Sequence, residues 1–187
     1  KSLSKQAATF ASNGNYQRAI EHERKVIEIY RNRKDSLSMA FAIGELANYL
    51  FANGNKEKAL ATMEQALDIY RNRGLQSPNY AQALNNSAIL YYNAGNYQQA
   101  SLYGQQSLDM YKQIGDTISA IYARILSNNA LFHFVSNDRR NTIEIAQKAV
   151  SLHRSLLGES HPDNVPLLYN LAVYQMQSDM WQEAQKR

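Results

Sequence analysis

The sequence predicts an all-α fold made of repeated two-helix units. A short turn phrase recurs along the chain, as FASNGNYQRA at 10–19, LFANGNKEKA at 50–59 and YYNAGNYQQA at 91–100. The segments on both sides of each phrase carry apolar residues at helical spacing. No segment alternates Val, Ile and Thr with polar residues as a half-buried strand does. Each phrase is therefore expected to join two helices.

The first element of each unit is a helix that ends at a fixed anchor residue. The anchors are Gly14, Gly54, Gly95, Asn137 and Asp179, at steps of 40, 41, 42 and 42 residues. A constant step of this size indicates a repeat architecture. Glycine tolerates the left-handed backbone, and Asn and Asp tolerate it better than most residues, so each anchor is expected to terminate its helix.

Small residues flank each anchor at constant offsets. Seven residues before it stand Ala7, Ala47, Ala88, Ala130 and Ala172, and five after it stand Ala19, Ala59, Ala100, Thr142 and Ala184. Small side chains let two helices cross closely, so we expect these positions to be buried. The fourth unit departs from the pattern at Asn137 and Thr142. Gly44, inside a predicted helix, indicates either a close helix approach or a gap that faces a ligand.

The second helix of each unit is expected to end at another glycine. Gly74, Gly115 and Gly158 fit this role, and Ser77 (before Pro78) and Asp116 fit the start of the next unit. The predicted units are approximately 1–34, 35–75, 76–115, 116–159 and 160–187, the last one truncated. The chain starts without methionine and stops within a predicted helix, so we expect it to be a fragment of a longer protein.

The pattern resembles the tetratricopeptide repeat family. The stretch ALNNSAILYYNAGNYQQASLYGQQSL (83–108) fills its signature positions with Ala88, Tyr91, Gly95, Tyr97, Ala100 and Ser107. The usual repeat has about 34 residues, and the longer step is similar to the kinesin light chain type. The segment LGESHPDNVPLLYNLAVYQ (157–175) carries the phrases of that type. The resemblance implies a right-handed superhelical solenoid of antiparallel helix pairs.

Composition argues against several classes of partner. The net charge of +4 is mild for 187 residues, and the basic residues Arg31, Arg33, Lys34, Arg71 and Arg73 fall where second helices end. There they complement the helix dipole, and no aromatic stacking motif accompanies them, so no nucleic-acid partner is expected. No apolar run is long enough to span a bilayer, so no membrane partner is expected. The chain has no cysteine, which excludes disulfides and thiolate metal sites.

The resemblance implies that the first helices line a concave groove. The groove positions are counted from the alanine that stands seven residues before each anchor. Positions two, three and six residues before this alanine, and one, four and five after it, would face the groove. The candidate binding residues are Asn48, Phe51, Gln82, Asn85, Asn86, Ile89, Tyr92, Asn93, Arg124, Asn128, Phe134, Tyr169 and Asn170. The set is rich in amides and aromatics. Only Arg124 and Lys5 are basic at such positions, so a preference for acidic peptide tails is not expected.

Asn86, Asn128 and Asn170 occupy one equivalent position in successive units. A side-chain amide offers a donor and an acceptor, so it can pair with the main chain of an extended peptide whatever its sequence. The alternative is that these amides bond to the backbone or link units structurally. Tyr92 and Tyr169, with Phe134, either form pockets for peptide side chains or pack between long helices.

Catalytic and metal-binding patterns are not found. The histidines, His22, His133, His153 and His161, are scattered, and the last two with Asp163 match no zinc spacing. Packing and turn-forming roles account for them. No phosphate loop, nucleophile elbow or acid–base carboxylate pair occurs. We expect no cofactor, no metal and no enzymatic activity in these residues.

The sequence therefore leaves three functions open. The first is a protein-interaction module whose partner is a protein or an extended peptide. The second is a ligand- or peptide-sensing regulatory domain of a larger signalling protein. The third is a structural spacer or a self-association module, which would associate end to end or as a homodimer through terminal repeats at Lys1 and Arg187.

Overall fold

The computed structural model describes residues 2–74 and 76–185, with side chains described up to residue 179. Within these ranges all regular structure is helical. The helices are α1 (Leu3–Ser12), α2 (Tyr16–Asn32), α3 (Ser36–Ala52), α4 (Lys56–Arg73), α5 (Pro78–Asn93), α6 (Tyr97–Gln113), α7 (Ala120–Val135), α8 (Arg139–Leu157) and α9 (Asn164–Gln185). The chain forms two compact units, which we call unit 1 (Lys1–Gly95) and unit 2 (Asn96–Arg187).

The turn within each helix pair has the predicted backbone. Gly14, Gly54 and Gly95 have φ angles of 74°, 85° and 82°, and Asn137 has 66°. These left-handed residues follow the ends of α1, α3, α5 and α7, which confirms their predicted role. Lys34 adopts the same conformation, with φ 56°, after α2, although a non-glycine residue is strained there.

Of the two helix starts predicted from capping residues, at Ser77 and Asp116, the first is confirmed and the second is wrong. Ser77 caps α5 by accepting a hydrogen bond from the Tyr80 N–H at 3.2 Å, as predicted. Asp116 does not open α7, because that helix starts four residues later. Its cap is Ser119, whose Oγ accepts from the Tyr122 N–H at 3.2 Å. Two side chains in one connection satisfied the same capping rule, and the sequence did not distinguish them.

Unit 1 is built around fully buried alanines. Ala7, Ala19, Ala47, Ala59 and Ala88 have no exposed surface, which confirms the close crossings predicted for them. Larger side chains fill the space between the helices. The central cluster includes Ile20, Val26, Ile27, Ile43, Leu46, Tyr49 and Leu50, with Phe10 and Phe51 packed against it.

In unit 2, α6 and α7 approach each other closely at Gly104. A Cβ built on Gly104 would lie 2.7 Å from Asn129 Oδ1 and 2.8 Å from Phe132 Cδ2. Both side chains are buried, so neither can move aside cheaply. Thr142 of α8 replaces the usual alanine and is also buried, and its hydroxyl donates to the Asp138 carbonyl at 2.7 Å. The departure at Thr142 is thus accommodated locally.

The last helix differs from the prediction. α9 continues through Asp179 to Gln185, so Asp179 does not end a helix as its anchor position predicted. Aspartate enters the left-handed conformation less readily than glycine, and the following residues are mostly good helix formers. Ala172 of α9 is exposed, so the burial expected of it is wrong. Ala184 lies outside the residues whose side chains are described, as do Lys1 and Arg187. The division into five repeat units remains a prediction.

Gly44 and Gly104 should respond in opposite ways to substitution by alanine. A Cβ on Gly44 meets only Met63 Sδ, at 3.9 Å, so G44A should gain up to about 1 kcal/mol of helix propensity. G104A should instead lose about 1–3 kcal/mol through overpacking. Thermal unfolding followed by circular dichroism tests both. Equal shifts of the melting temperature in the same direction would contradict the packing described for α6 and α7.

Candidate functional site

The predicted binding residues of unit 1 lie on α3 and α5. Asn48 and Phe51 belong to α3 and are half-buried, and Phe51 packs against the core cluster. Four candidates on α5 are half-buried, namely Gln82, Asn86, Ile89 and Tyr92. Asn93, at the end of the same helix, is exposed.

Asn85 must be removed from the predicted set. It is fully buried, so no ligand can reach it from a groove. Ala81, Asn85 and Ala88 follow the i, i+4, i+7 spacing of a single helix face, and all three are fully buried. The offset rule placed Asn85 in the groove because it treated two neighbouring faces of α5 as one.

The amides in unit 1 bond to neighbours on their own helices. Gln82 Nε2 donates to Asn86 Oδ1 at 3.2 Å, and Asn48 Nδ2 donates to Glu45 Oε1 at 3.3 Å. Gln82, Asn86 and Glu45 line a cavity of about 20 Å³ together with Phe41 and other residues of α3 and α5. A cavity of this size holds about one water molecule. A ligand would therefore lie over these side chains.

Unit 2 has a larger opening, which we call the Asn128 cleft. It has a volume of about 460 Å³ and is lined by Ala120, Ile121, Arg124, Ser127, Asn128, His153, Leu157, Asp163 and Leu167. Two predicted residues, Arg124 and Asn128, thus meet in one cleft. The sequence did not predict Leu157 or Leu167. Leu157 lies at the end of α8, outside the first helices, and Leu167 lies on α9 at a position that the fixed offsets do not include.

The wall of the Asn128 cleft is fixed by the connection between α8 and α9. His153 Nδ1 lies 2.9 Å from Asn164 Oδ1. Asn164 Nδ2 donates to the carbonyls of Gly158 and Glu159 at 2.8 and 3.1 Å. Asn164 is buried, so this network holds His153 in place. Packing or turn-forming roles were expected for the histidines, but the sequence did not show that the α8–α9 turn borders a cleft.

The remaining candidates of unit 2 divide between packing and exposure. Phe134 is half-buried, and its ring centroid lies 4.7 Å from that of Tyr174 within a small core cluster. Of the two roles predicted for Phe134, a pocket for peptide side chains or packing between helices, this contact fits the second. Tyr169 is 69% exposed and Asn170 is exposed, and neither lines the Asn128 cleft.

No metal centre is formed by the described side chains. Among these side chains, no three His, Asp or Glu residues lie close enough together to hold an ion. His153 pairs with Asn164, and His161 Nδ1 accepts from the Asp163 N–H at 3.3 Å. These histidines therefore shape the α8–α9 connection.

Unit 1 contains two glutamates, Glu23 and Glu45, whose carboxyl pKa values are raised. Glu23 of α2 is only 2% exposed, and burial, together with the charge of Glu45, raises its pKa to about 7. Burial also raises the pKa of the Glu45 carboxyl, although the Asn48 amide opposes this. The pKa of Tyr49 rises to about 12, through burial first and then the charges of Glu45 and Glu23. A proton on Glu23 therefore favours the folded state near neutral pH.

Comparison with known families agrees with this architecture. Models described as tetratricopeptide repeat match residues 35–113 and 123–163, which together make up more than half of the chain. A search of curated proteins gives no significant match.

Solved structures show the same fold. BtubC (BKLC) from P. vanneervenii superposes with a TM-score of 0.84 at 21% identity, covering 98% of this chain and 74% of that one. A Podosopora anserina protein described as a kinesin light chain with nearly identical TPR-like repeats gives 0.82 at 22%, covering 99% and 89%. A signal transduction ATPase with a tetratricopeptide repeat sensor from Pyrococcus horikoshii gives 0.73 at 21%, covering 92% and 26%.

The fold is thus an all-α helical-repeat solenoid, and the chain belongs to the tetratricopeptide repeat family. Its helices superpose on the TPR-like repeats of the Podosopora anserina protein, at 22% identity. Tetratricopeptide repeats are generally protein-interaction modules, and their fold is typically a non-enzymatic scaffold. Among the described residues, no helix is both long and apolar enough to cross a membrane.

The stability of the protein should fall as the pH rises from about 4.5 to about 7. In this window the folded state keeps a proton on Glu23 that the unfolded state has lost, so each pH unit costs up to about 1.4 kcal/mol. E23Q should flatten this dependence and raise the melting temperature at pH 8. E21Q, which changes an exposed residue of the same helix, is the matched control. A pH profile that is the same for E23Q and the parent protein would refute the assignment.

Proposed function

We propose that the chain is a protein-interaction module that binds an extended segment of a partner protein through its first helices. The observation that carries the proposal is the Asn128 cleft. It combines an amide and a hydroxyl, from Asn128 and Ser127, with apolar side chains from Ile121, Leu157 and Leu167. Such a combination suits a peptide, whose main chain needs hydrogen bonds and whose side chains need apolar contacts.

A side-chain amide such as that of Asn128 suits the recognition of a peptide main chain. It can donate to a peptide carbonyl and accept from a peptide N–H at the same time, so recognition does not depend on sequence. Asn128 is half-buried on α7, where part of its surface stays accessible. In unit 1, Asn86 holds the equivalent position on α5 beside Gln82, and we propose the same role for it there.

The charges of the Asn128 cleft favour a neutral or mixed-charge segment. Arg124 and Asp163 both line the cleft, so an anionic peptide would meet a carboxylate as well as a guanidinium. The apolar residues Ile121 and Leu157 are 45% and 39% exposed. They provide contact area that does not depend on the charge of the ligand.

The test begins with a displayed library of short random peptides selected on the intact protein. N128A should weaken binding of a selected peptide about tenfold, since it removes up to two hydrogen bonds. Fluorescence anisotropy measures the affinity, and circular dichroism should show a melting temperature within about 2 °C of the parent. Q106A, an exposed amide on α6, is the control. Unchanged affinity in N128A, or its unfolding, would reject the proposed role.

A regulatory sensor is the second candidate. It is suggested by the likeness to the Pyrococcus horikoshii protein, whose repeats are named as a sensor in a signal transduction ATPase. In a sensor, ligand binding must favour one conformation over another. Small-angle X-ray scattering with and without the selected peptide should then show a change in radius of gyration. A scaffold would keep the same scattering profile at saturation.

A further inference from the structure

Two polar residues of the Asn128 cleft come from outside α7. His153 belongs to α8, and Asp163 belongs to the connection between α8 and α9. We call this pair the α8–α9 side of the cleft. The Asp163 side chain is 70% exposed, and an ionised carboxylate can only accept hydrogen bonds. Whether His153 offers a donor or an acceptor depends on which of its ring nitrogens carries the proton.

The hydrogen bonds of Asn164 decide the tautomer of His153. Asn164 Nδ2 donates to the carbonyls of Gly158 and Glu159 at 2.8 and 3.1 Å. Turning the amide over would place its oxygen against these two carbonyl oxygens, and none of the three could donate. The amide oxygen therefore faces His153 Nδ1, at 2.9 Å. Because this oxygen can only accept, the proton of the neutral ring lies on Nδ1.

A proton on Nδ1 leaves Nε2 of the neutral ring as an acceptor. The two nitrogens point to different sides of the imidazole, so Nε2 points away from the buried Asn164. Within the described part of the chain, Nε2 of His153 makes no hydrogen bond. It is not buried, in contrast to Nε2 of His133. His153 is half-buried and lines the cleft, so a ligand in the cleft can reach this acceptor.

The α7 residues of the cleft have different hydrogen-bonding chemistry. Arg124 carries only donors, and Ser127 and Asn128 can both donate and accept. A bound segment that satisfies the whole cleft must therefore bring its hydrogens to the α8–α9 side. A carboxylate placed there would meet the lone pairs of His153 and Asp163 with no proton between them, which disfavours it.

We propose that the α8–α9 side of the Asn128 cleft is a subsite for a side chain with an N–H donor, such as the amide of glutamine or the ammonium group of lysine. His153 Nε2 accepts the hydrogen bond, and Asn164 is a positioning residue that fixes the tautomer. The inference rests on the proposed function, since this side chain belongs to the segment bound in the cleft. It adds a preference at one position of that segment, whereas recognition of main chain by Asn128 does not depend on sequence.

The tautomer is tested without any ligand. Nitrogen-15 NMR of the imidazole rings at about pH 8, where an ordinary histidine is neutral, should show His153 protonated at Nδ1. H153A identifies its signals among those of the four histidines. In N164A the proton should move to Nε2, the form that free histidine favours. Protonation at Nε2 in the parent protein would overturn the proposal, and the parent spectrum decides this even if N164A does not fold. An unchanged tautomer in folded N164A would refute the role of Asn164.

The donor preference is tested with a selected peptide whose binding depends on Asn128. Each position of this peptide is changed in turn to glutamine and to glutamate, which have nearly the same shape and differ in the donor. At one position the parent protein should bind the glutamine peptide about tenfold more tightly. In H153A this ratio should fall at least about threefold. Arg124 and Asp163 are present in both proteins, so the double-mutant cycle isolates the contribution of His153.

The outcomes separate this inference from the proposed function. If no selected peptide loses affinity in N128A, the proposed function fails and the subsite fails with it. If N128A weakens binding but no position distinguishes glutamine from glutamate, or the preference persists in H153A, the subsite alone is refuted. Circular dichroism checks that H153A is folded, and H153F takes its place if it is not. Q106A should keep the preference of the parent protein.

Discussion

The close crossing of helices at alanine positions is the constraint on which this structure depends. Ala47, Ala88 and Ala100 have no exposed surface, and Ala130 has almost none. Such crossings accept only small side chains without separating the helices, and where Thr142 replaces alanine its hydroxyl bonds to the Asp138 carbonyl. Because these positions fix the distance between helices, they also fix where the remaining side chains point. Residues on the opposite face of α7 from Ala130, including Arg124 and Asn128, are left to line the Asn128 cleft.

The turns could be predicted because they depend on single residues. Gly14, Gly54 and Gly95 adopt the left-handed backbone expected of them, and Asn137 does so as well. The errors occurred where a local rule admitted more than one outcome. Asp116 and Ser119 both satisfied the capping rule, and α7 is capped by Ser119. Asp179 satisfied the spacing of the repeat, but without glycine the helix continues.

The candidate site was less predictable than the fold. A fixed offset from an alanine identified Asn86 and Asn128 as partly accessible, yet the same rule included the buried Asn85. The direction of a side chain depends on the roll of its helix, which differs between helices by amounts a sequence pattern does not record. The Asn128 cleft also requires the α8–α9 connection, where Asn164 bonds to two carbonyls. These carbonyls belong to residues six and five positions before Asn164, and hydrogen bonds within a connection leave no signature in helical periodicity.

The close approach at Gly104 bears on how such repeats can be recombined. A glycine on α6 and the Asn129 and Phe132 side chains on α7 fit one another at distances that a methyl group would violate. A chimaera that joined α6 of this chain to the following helix of another repeat protein would lose that match. The interchangeable segment is therefore α6 together with α7, and the structural repeat and the unit of exchange need not coincide.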